Sequence, residues 1–165
     1  MKKTILTLAL FVFMAGALRA QAEGKTIGLR IGYPTDISFQ LGLNNSNRIE
    51  LGLGFRTYGY SINTNNKYSQ ISLSGVYQWV WDLSALSSGF NWYAGGGASI
   101  GHYSYTYAST DHSGFPVSVL GEIGLEYNLS IPLRLSFDWR PVFQFNAFGN
   151  GFIGDSFGIG VRYRF

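Results

Sequence analysis

From residue 27 onward the chain alternates. Ile27, Leu29, Ile31 and Tyr33 are separated by Gly28, Arg30 and Gly32. Ile37, Phe39, Leu41 and Leu43 are separated by Ser38, Gln40 and Gly42, and Ile49, Leu51, Leu53 and Phe55 lie between Arg48, Glu50, Gly52, Gly54 and Arg56. A period of two is the spacing of a strand with two unlike faces. It returns five more times. Ile71, Leu73, Tyr77, Trp79 and Trp81 oppose Ser72, Ser74, Val76 and Gln78, and Trp92, Ala94, Ala98 and Ile100 oppose Tyr93, Gly95, Gly97 and Ser99. Val117, Val119, Ile123, Leu125 and Tyr127 oppose Ser118, Glu122, Gly124 and Glu126, and Leu133, Leu135, Phe137 and Trp139 oppose Arg134, Ser136, Asp138 and Arg140. The last strand holds Ile159, Val161, Tyr163 and Phe165 against Gly158, Gly160, Arg162 and Arg164.

Turn chemistry separates these runs: Pro34, Thr35 and Asp36, the Asn cluster 44–47, and the stretches 63–67, 82–89, 111–114, 130–132 and 146–155. Eight strands joined by hairpins predict an all-β, antiparallel up-and-down meander. Eight strands close into a small barrel and leave no exposed edge.

Alternation does not say which face points inward; bulk and charge do. The apolar face carries Trp79, Trp81, Trp92 and Trp139 with many Phe and Leu, too much volume for an interior only wide enough for side chains. The other face is mostly Gly and Ser with a few Arg and Glu, poor in charge for a water-facing surface. No charged residue falls on the apolar face, where Arg or Lys costs about 2–4 kcal/mol at a bilayer midplane. The apolar face is therefore expected to meet lipid: a transmembrane barrel with a polar lumen. With both termini on the periplasmic side, Trp79, Trp81, Trp92, Tyr127, Tyr163 and Phe165 form an inner aromatic girdle, and Tyr33, Trp139 and Phe143 an outer one.

The first residues read as a leader. Lys2 and Lys3 precede the apolar run 5–18, followed by Ala20, Gln21 and Ala22, the layout of a cleavable secretory signal peptide. Roughly 14 apolar residues fall short of the ~20 that span a bilayer as a helix. The domain reading is signal peptide 1–22 and barrel 23–165, with cleavage after Ala22, or alternatively after Ala20. Lys2, Lys3 and Arg19 account for the whole net charge of +3. The mature chain is formally neutral, so nothing recommends nucleic acid as a partner. The sequence has no cysteine, so it holds no disulfide and no thiolate metal site. No cofactor is expected, and two histidines make a poor metal site.

The end of the chain, with Gly160, Tyr163 and the terminal Phe165, resembles the C-terminal assembly signal of bacterial outer-membrane barrels; it departs from that pattern at Gly158, where a polar residue is usual. With the eight strands, the chain resembles the OmpA/OmpX-type small outer-membrane barrels. The resemblance implies residence in the outer membrane among its lipid and lipopolysaccharide. It also implies handling by the barrel-assembly machinery, and a monomer.

Strand parity sends Arg30, Arg48, Glu50, Arg56, Glu122, Glu126, Arg134, Asp138, Arg140, Arg162 and Arg164 into the lumen. Charges confined there must be paired and hydrogen-bonded, so a packed network is expected. An ion or solute pathway is the alternative. His102 and Ser104 form a His-x-Ser on a lipid-facing strand face, similar to the His-x-Ser of outer-membrane lipid A deacylases, although Tyr105 stands where that family usually has Asn. In such a site the His takes the proton of a nucleophilic Ser, and a carboxylate orients the His. The primary expectation is a non-catalytic envelope or surface-interaction protein. The segments 61–68, 105–115 and 145–155 are its candidates for contacting a ligand outside the cell.

Overall fold

The computed structural model describes residues 24–60, 66–107, 110–145 and 151–165. The leader lies outside the described residues, as do the tips 61–65, 108–109 and 146–150. The strand segments are β1 (Lys25–Gly32), β2 (Thr35–Gly42), β3 (Asn47–Tyr60), β4 (Asn66–Asp82), β5 (Phe90–Tyr107) and β6 (Thr110–Gly114). They continue with β7 (Val117–Asn128), β8 (Leu133–Trp139), β9 (Val142–Phe145), β10 (Gly151–Ile153) and β11 (Phe157–Arg164). β6 runs on into β7, β8 into β9 and β10 into β11, so the segments make eight barrel strands. Each pairs antiparallel with its neighbours in sequence. β11 returns to β1, from Thr26↔Arg164 to Gly32↔Gly158, and closes the barrel.

Burial is inverted relative to a water-soluble domain. Arg30, Arg162, Gln78 and Tyr93 are fully buried, while Leu29, Leu51, Leu73, Phe137 and Ile159 are half-exposed or more. Among the described residues the buried hydrophobic side chains other than proline are Val76, Tyr93, Tyr103 and Leu120. A contiguous apolar exterior of this extent suits lipid, not water. At the end holding both termini, the Phe165 amide donates to the Lys25 carbonyl (3.1 Å) and the Gly42 amide to the Gly24 carbonyl (2.6 Å). The turns between β2 and β3, β4 and β5, and β7 and β8 share that end. At the opposite, distal end, β2 stops pairing at Thr35↔Phe55, whereas β3 and β4 stay paired up to Tyr60↔Asn66. The β5–β6 hairpin extends alongside them.

Several turn assignments change. Thr35 and Asp36 belong to β2, Asn66 and Lys67 to β4, and residues 111–114 to β6, and part of 146–155 is β10. These strands lie beyond the lipid-facing band or beside a turn, where ladder hydrogen bonds persist without apolar alternation. Tyr33 is not an outer-girdle residue. β1 ends at Gly32, and the freed Tyr33 ring lies 3.5 Å from the Arg56 guanidinium carbon, a cation–π contact. Of the aromatics expected at the inner interface, Trp81 stacks on Trp92 (4.1 Å), Tyr163 stacks on Phe165 (6.4 Å), and Trp79 meets Tyr77 edge-on (5.0 Å).

Candidate functional site: the lumen network and the His102–Ser104 face

Inward-facing positions of all eight strands converge on the barrel axis. Five guanidinium groups, of Arg30, Arg48, Arg134, Arg140 and Arg162, meet five carboxylates, of Asp36, Glu50, Glu122, Glu126 and Asp138. The core of the lumen is formally neutral. Arg140, which follows β8, bonds Glu122 on the adjacent β7 (2.6 Å) and reaches across to Glu50 on β3 (2.7 Å) and Asp36 on β2 (3.2 Å). Arg162 bonds Glu50 (3.2 Å) and donates to Ser38 and Ser136. Arg30 holds Asp138 at 2.6 Å and Asp36 at 3.5 Å. Nearer the termini, Glu126 takes Arg48 (2.7 Å) and, more distantly, Arg134 (3.7 Å).

Two glutamines join these clusters. Gln78 accepts from Arg48 Nε and donates to Glu122 (2.6 Å) and Glu50 (3.3 Å). Gln40 accepts from Arg134 (2.9 Å) and donates to Glu50 (2.6 Å). A side-chain amide has one accepting and one donating end. Placed between a guanidinium and a carboxylate, it fits in a single orientation and relays one charge to the other. Tyr93 adds a hydroxyl to Asp138 (3.3 Å), and its ring lies 4.8 Å from the Arg48 guanidinium carbon. Nearly every charge here is shared, which is the condition for burying it at all.

Glycines make the room. A Cβ at Gly158 would sit 2.5 Å from the Arg30 guanidinium carbon, and one at Gly160 would collide with Ser136 Oγ and Arg162 Nη1. Gly158 thus stands where Arg30 folds against the β11 backbone. Arg56 lies apart from the network, against Tyr33. Arg164 leaves the lumen and donates to the Leu129 (2.8 Å) and Ile131 (3.0 Å) carbonyls of the β7–β8 turn. Parity reasoning missed Asp36, hidden behind Pro34, and passed over Gln40, Gln78 and Tyr93. The signal for the glutamines was their length among inward-facing Gly and Ser.

On the outer surface His102 and Ser104 are exposed. They stand two residues apart on one strand face, a separation of about 7 Å along a strand. The His102 ring packs on Phe115 (4.8 Å). Among the described residues His102 bonds neither Ser104 nor a carboxylate, so the base and orienting group of an acyl-transfer site are not assembled. Ser104 has different company: Thr57, Ser69, Ser104 and Ser113 are in register across β3, β4, β5 and β6.

No protein-family model matches the sequence, and no curated protein matches it. Solved structures do match in fold. The chain is similar to Neisserial surface protein A at 14% identity, over 86% of this chain and 94% of that one, with a TM-score of 0.61. It is similar to a major outer membrane protein from Thermus thermophilus at 13% identity, over 88% and 100%, with a TM-score of 0.60. It is also similar to Ail, the attachment invasion locus protein of Yersinia pestis, at 14% identity, over 86% and 94%, with a TM-score of 0.53. The chain has the fold of the small eight-stranded outer-membrane barrels.

Proposed function

We propose that this chain is an integral, non-catalytic barrel of the bacterial outer membrane, delivered by its N-terminal leader, with a surface-interaction role at the distal end. The observation that carries the reading is the sheet β3–β6, which rises past the low β1–β2 turn and projects from one side of the mouth. A rigid scaffold presenting extended hairpins is a usual platform for recognition. The short turns and both termini occupy the other end, the periplasmic one in barrels of this kind. One structural neighbour is named for attachment and invasion, and it is also known in complex with the heparin analogue sucrose octasulfate. Here the distal positions Arg56 and Lys67 are matched by Asp111 and Asp155, so a polyanion finds no net attraction and an uncharged partner fits better. The pore reading has less support, because Arg140 bridges opposite walls of the lumen.

Cell fractionation tests the proposal. The mature chain is expected in the outer-membrane fraction, with heat-modifiable migration on gels. Recovery as a soluble monomer without detergent would overturn it.

A further inference from the structure

The outward face of β3–β6 changes character in a single step. One row, Phe55, Ile71 and His102, with Phe115 against His102, is the last of the apolar exterior. The next row toward the distal end is Thr57, Ser69, Ser104 and Ser113, joined as Thr57↔Ser69, Ser69↔Ser104 and Ser104↔Ser113. All four are exposed. They line a recess of about 540 Å³, together with Tyr68, Tyr105, Asp111 and His112. The opposite wall has no such row among the described residues; its outward positions toward the distal end are Phe143, Phe145, Phe152 and Phe157, all exposed.

We infer that this hydroxyl-lined recess is a binding site for the saccharide headgroup of a glycolipid in the surrounding outer leaflet. The inference rests on the membrane reading above. Hydroxyls both donate and accept, and a row of them matches the donor-and-acceptor pattern of a sugar edge. Among the described side chains lining the recess Asp111 is an anion, His112 an imidazole, and none is Lys or Arg, which disfavours the phosphate of a phospholipid and suits a sugar hydroxyl. The apolar row directly below continues into Leu53, Leu73 and Ile100, a wall along which acyl chains can lie. A free sugar would leave that wall unused. This gives Ser104 and His102 a role without chemistry: Ser104 is one of four hydroxyls, and His102 sits on the border between headgroup and chain.

The test uses the refolded barrel in a non-ionic detergent, checked first for heat-modifiable migration. Failure of the membrane reading would show at that step and not in the lipid comparison. Native mass spectrometry then measures retention of monoglucosyl diacylglycerol, of phosphatidylglycerol with the same chains, and of free maltose. The glycolipid is expected to be retained over the other two. Ser69→Leu/Ser104→Leu should reduce that retention about tenfold, the effect of losing two neutral hydrogen bonds. Phe152→Leu, on the opposite wall, should leave it unchanged. If the double variant does not fold, Ser113→Val is measured in its place, with a smaller loss expected. Equal retention of the two lipids, equal retention of maltose, or a filled recess that retains as well as the wild type would each overturn the inference.

Discussion

The two halves of the lumen are filled by different means. Toward the termini, long charged side chains leave opposite walls and meet on the axis, as Arg140 does with Glu50. Toward the distal end the inward positions include Ser72, Ser74, Ser99 and Ser118, which line a cavity of about 50 Å³ with Asp36, Arg56, Gln70, Arg140 and Gln144. A cavity of that size has room for water beside its polar groups, while Pro34, Leu120, Val142 and Ile153 make the rest of its wall apolar. An eight-stranded interior is narrow enough for arginine and glutamate to close and too wide for facing serines. On this contrast we propose that the charged half closes the barrel and the distal half is an antechamber open to water.

The sharpest way to break this contrast is Arg140→Met. Asp36, Glu50 and Glu122 would lose the cation they share. Removing one partner of a buried ionic cluster costs about 3–5 kcal/mol, so urea unfolding of the refolded barrel should shift by that order. The same variant should give steady conductance in a planar bilayer where the wild type gives none. A wild-type barrel that conducts steadily, with a variant no less stable, would show the charged half to be a pathway.

Gly158→Ala should come next. The added methyl enters the space of the Arg30 guanidinium, so Arg30 must shift away from Asp138 or the β1–β11 seam must open. Overpacking of this kind costs about 1–3 kcal/mol, visible as a smaller heat-modifiable fraction at a given temperature. Gln78→Leu tests the relay between the clusters. It strands Arg48 Nε and one contact each of Glu50 and Glu122, a loss of about 1–3 kcal/mol. Denaturant unfolding of both variants beside Arg140→Met would order the three effects.

Period-two alternation made the barrel and the inward set legible, because the strand repeat alone decides which face a residue takes. The partnerships were not legible. Whether Arg140 meets Glu50 or Glu126 depends on strand stagger and on side chains crossing the lumen, which parity does not encode. Asp36 was masked by the turn chemistry of Pro34 and Thr35, although it continues the inward parity of Ser38 and Gln40. Gly158 read as a departure from the C-terminal pattern, and its reason lies on β1, in Arg30. The distal hairpins were obscured for a related cause. Outside lipid their strands need no apolar face, so β6 (TDHSG) carries the composition of a loop.

The smallest expected effect falls in the distal half. Ser74 Oγ donates to the Gly52 carbonyl at 3.4 Å, a long bond beside the cavity. Ser74→Ala removes it and slightly enlarges a space that already admits water. The Gly52 carbonyl also sits in the sheet, and water reaching the cavity can replace the lost donor, so no buried group is left unsatisfied. A hydrogen bond lost without that penalty is worth below about 1 kcal/mol. Unfolding in urea should therefore shift little, and the bilayer trace should stay closed, because the seal lies one layer nearer the termini. If Ser74→Ala instead opened the barrel or destabilised it as much as Gln78→Leu, closure would belong to the whole lumen, and the division into a charged seal and a wet antechamber would be wrong.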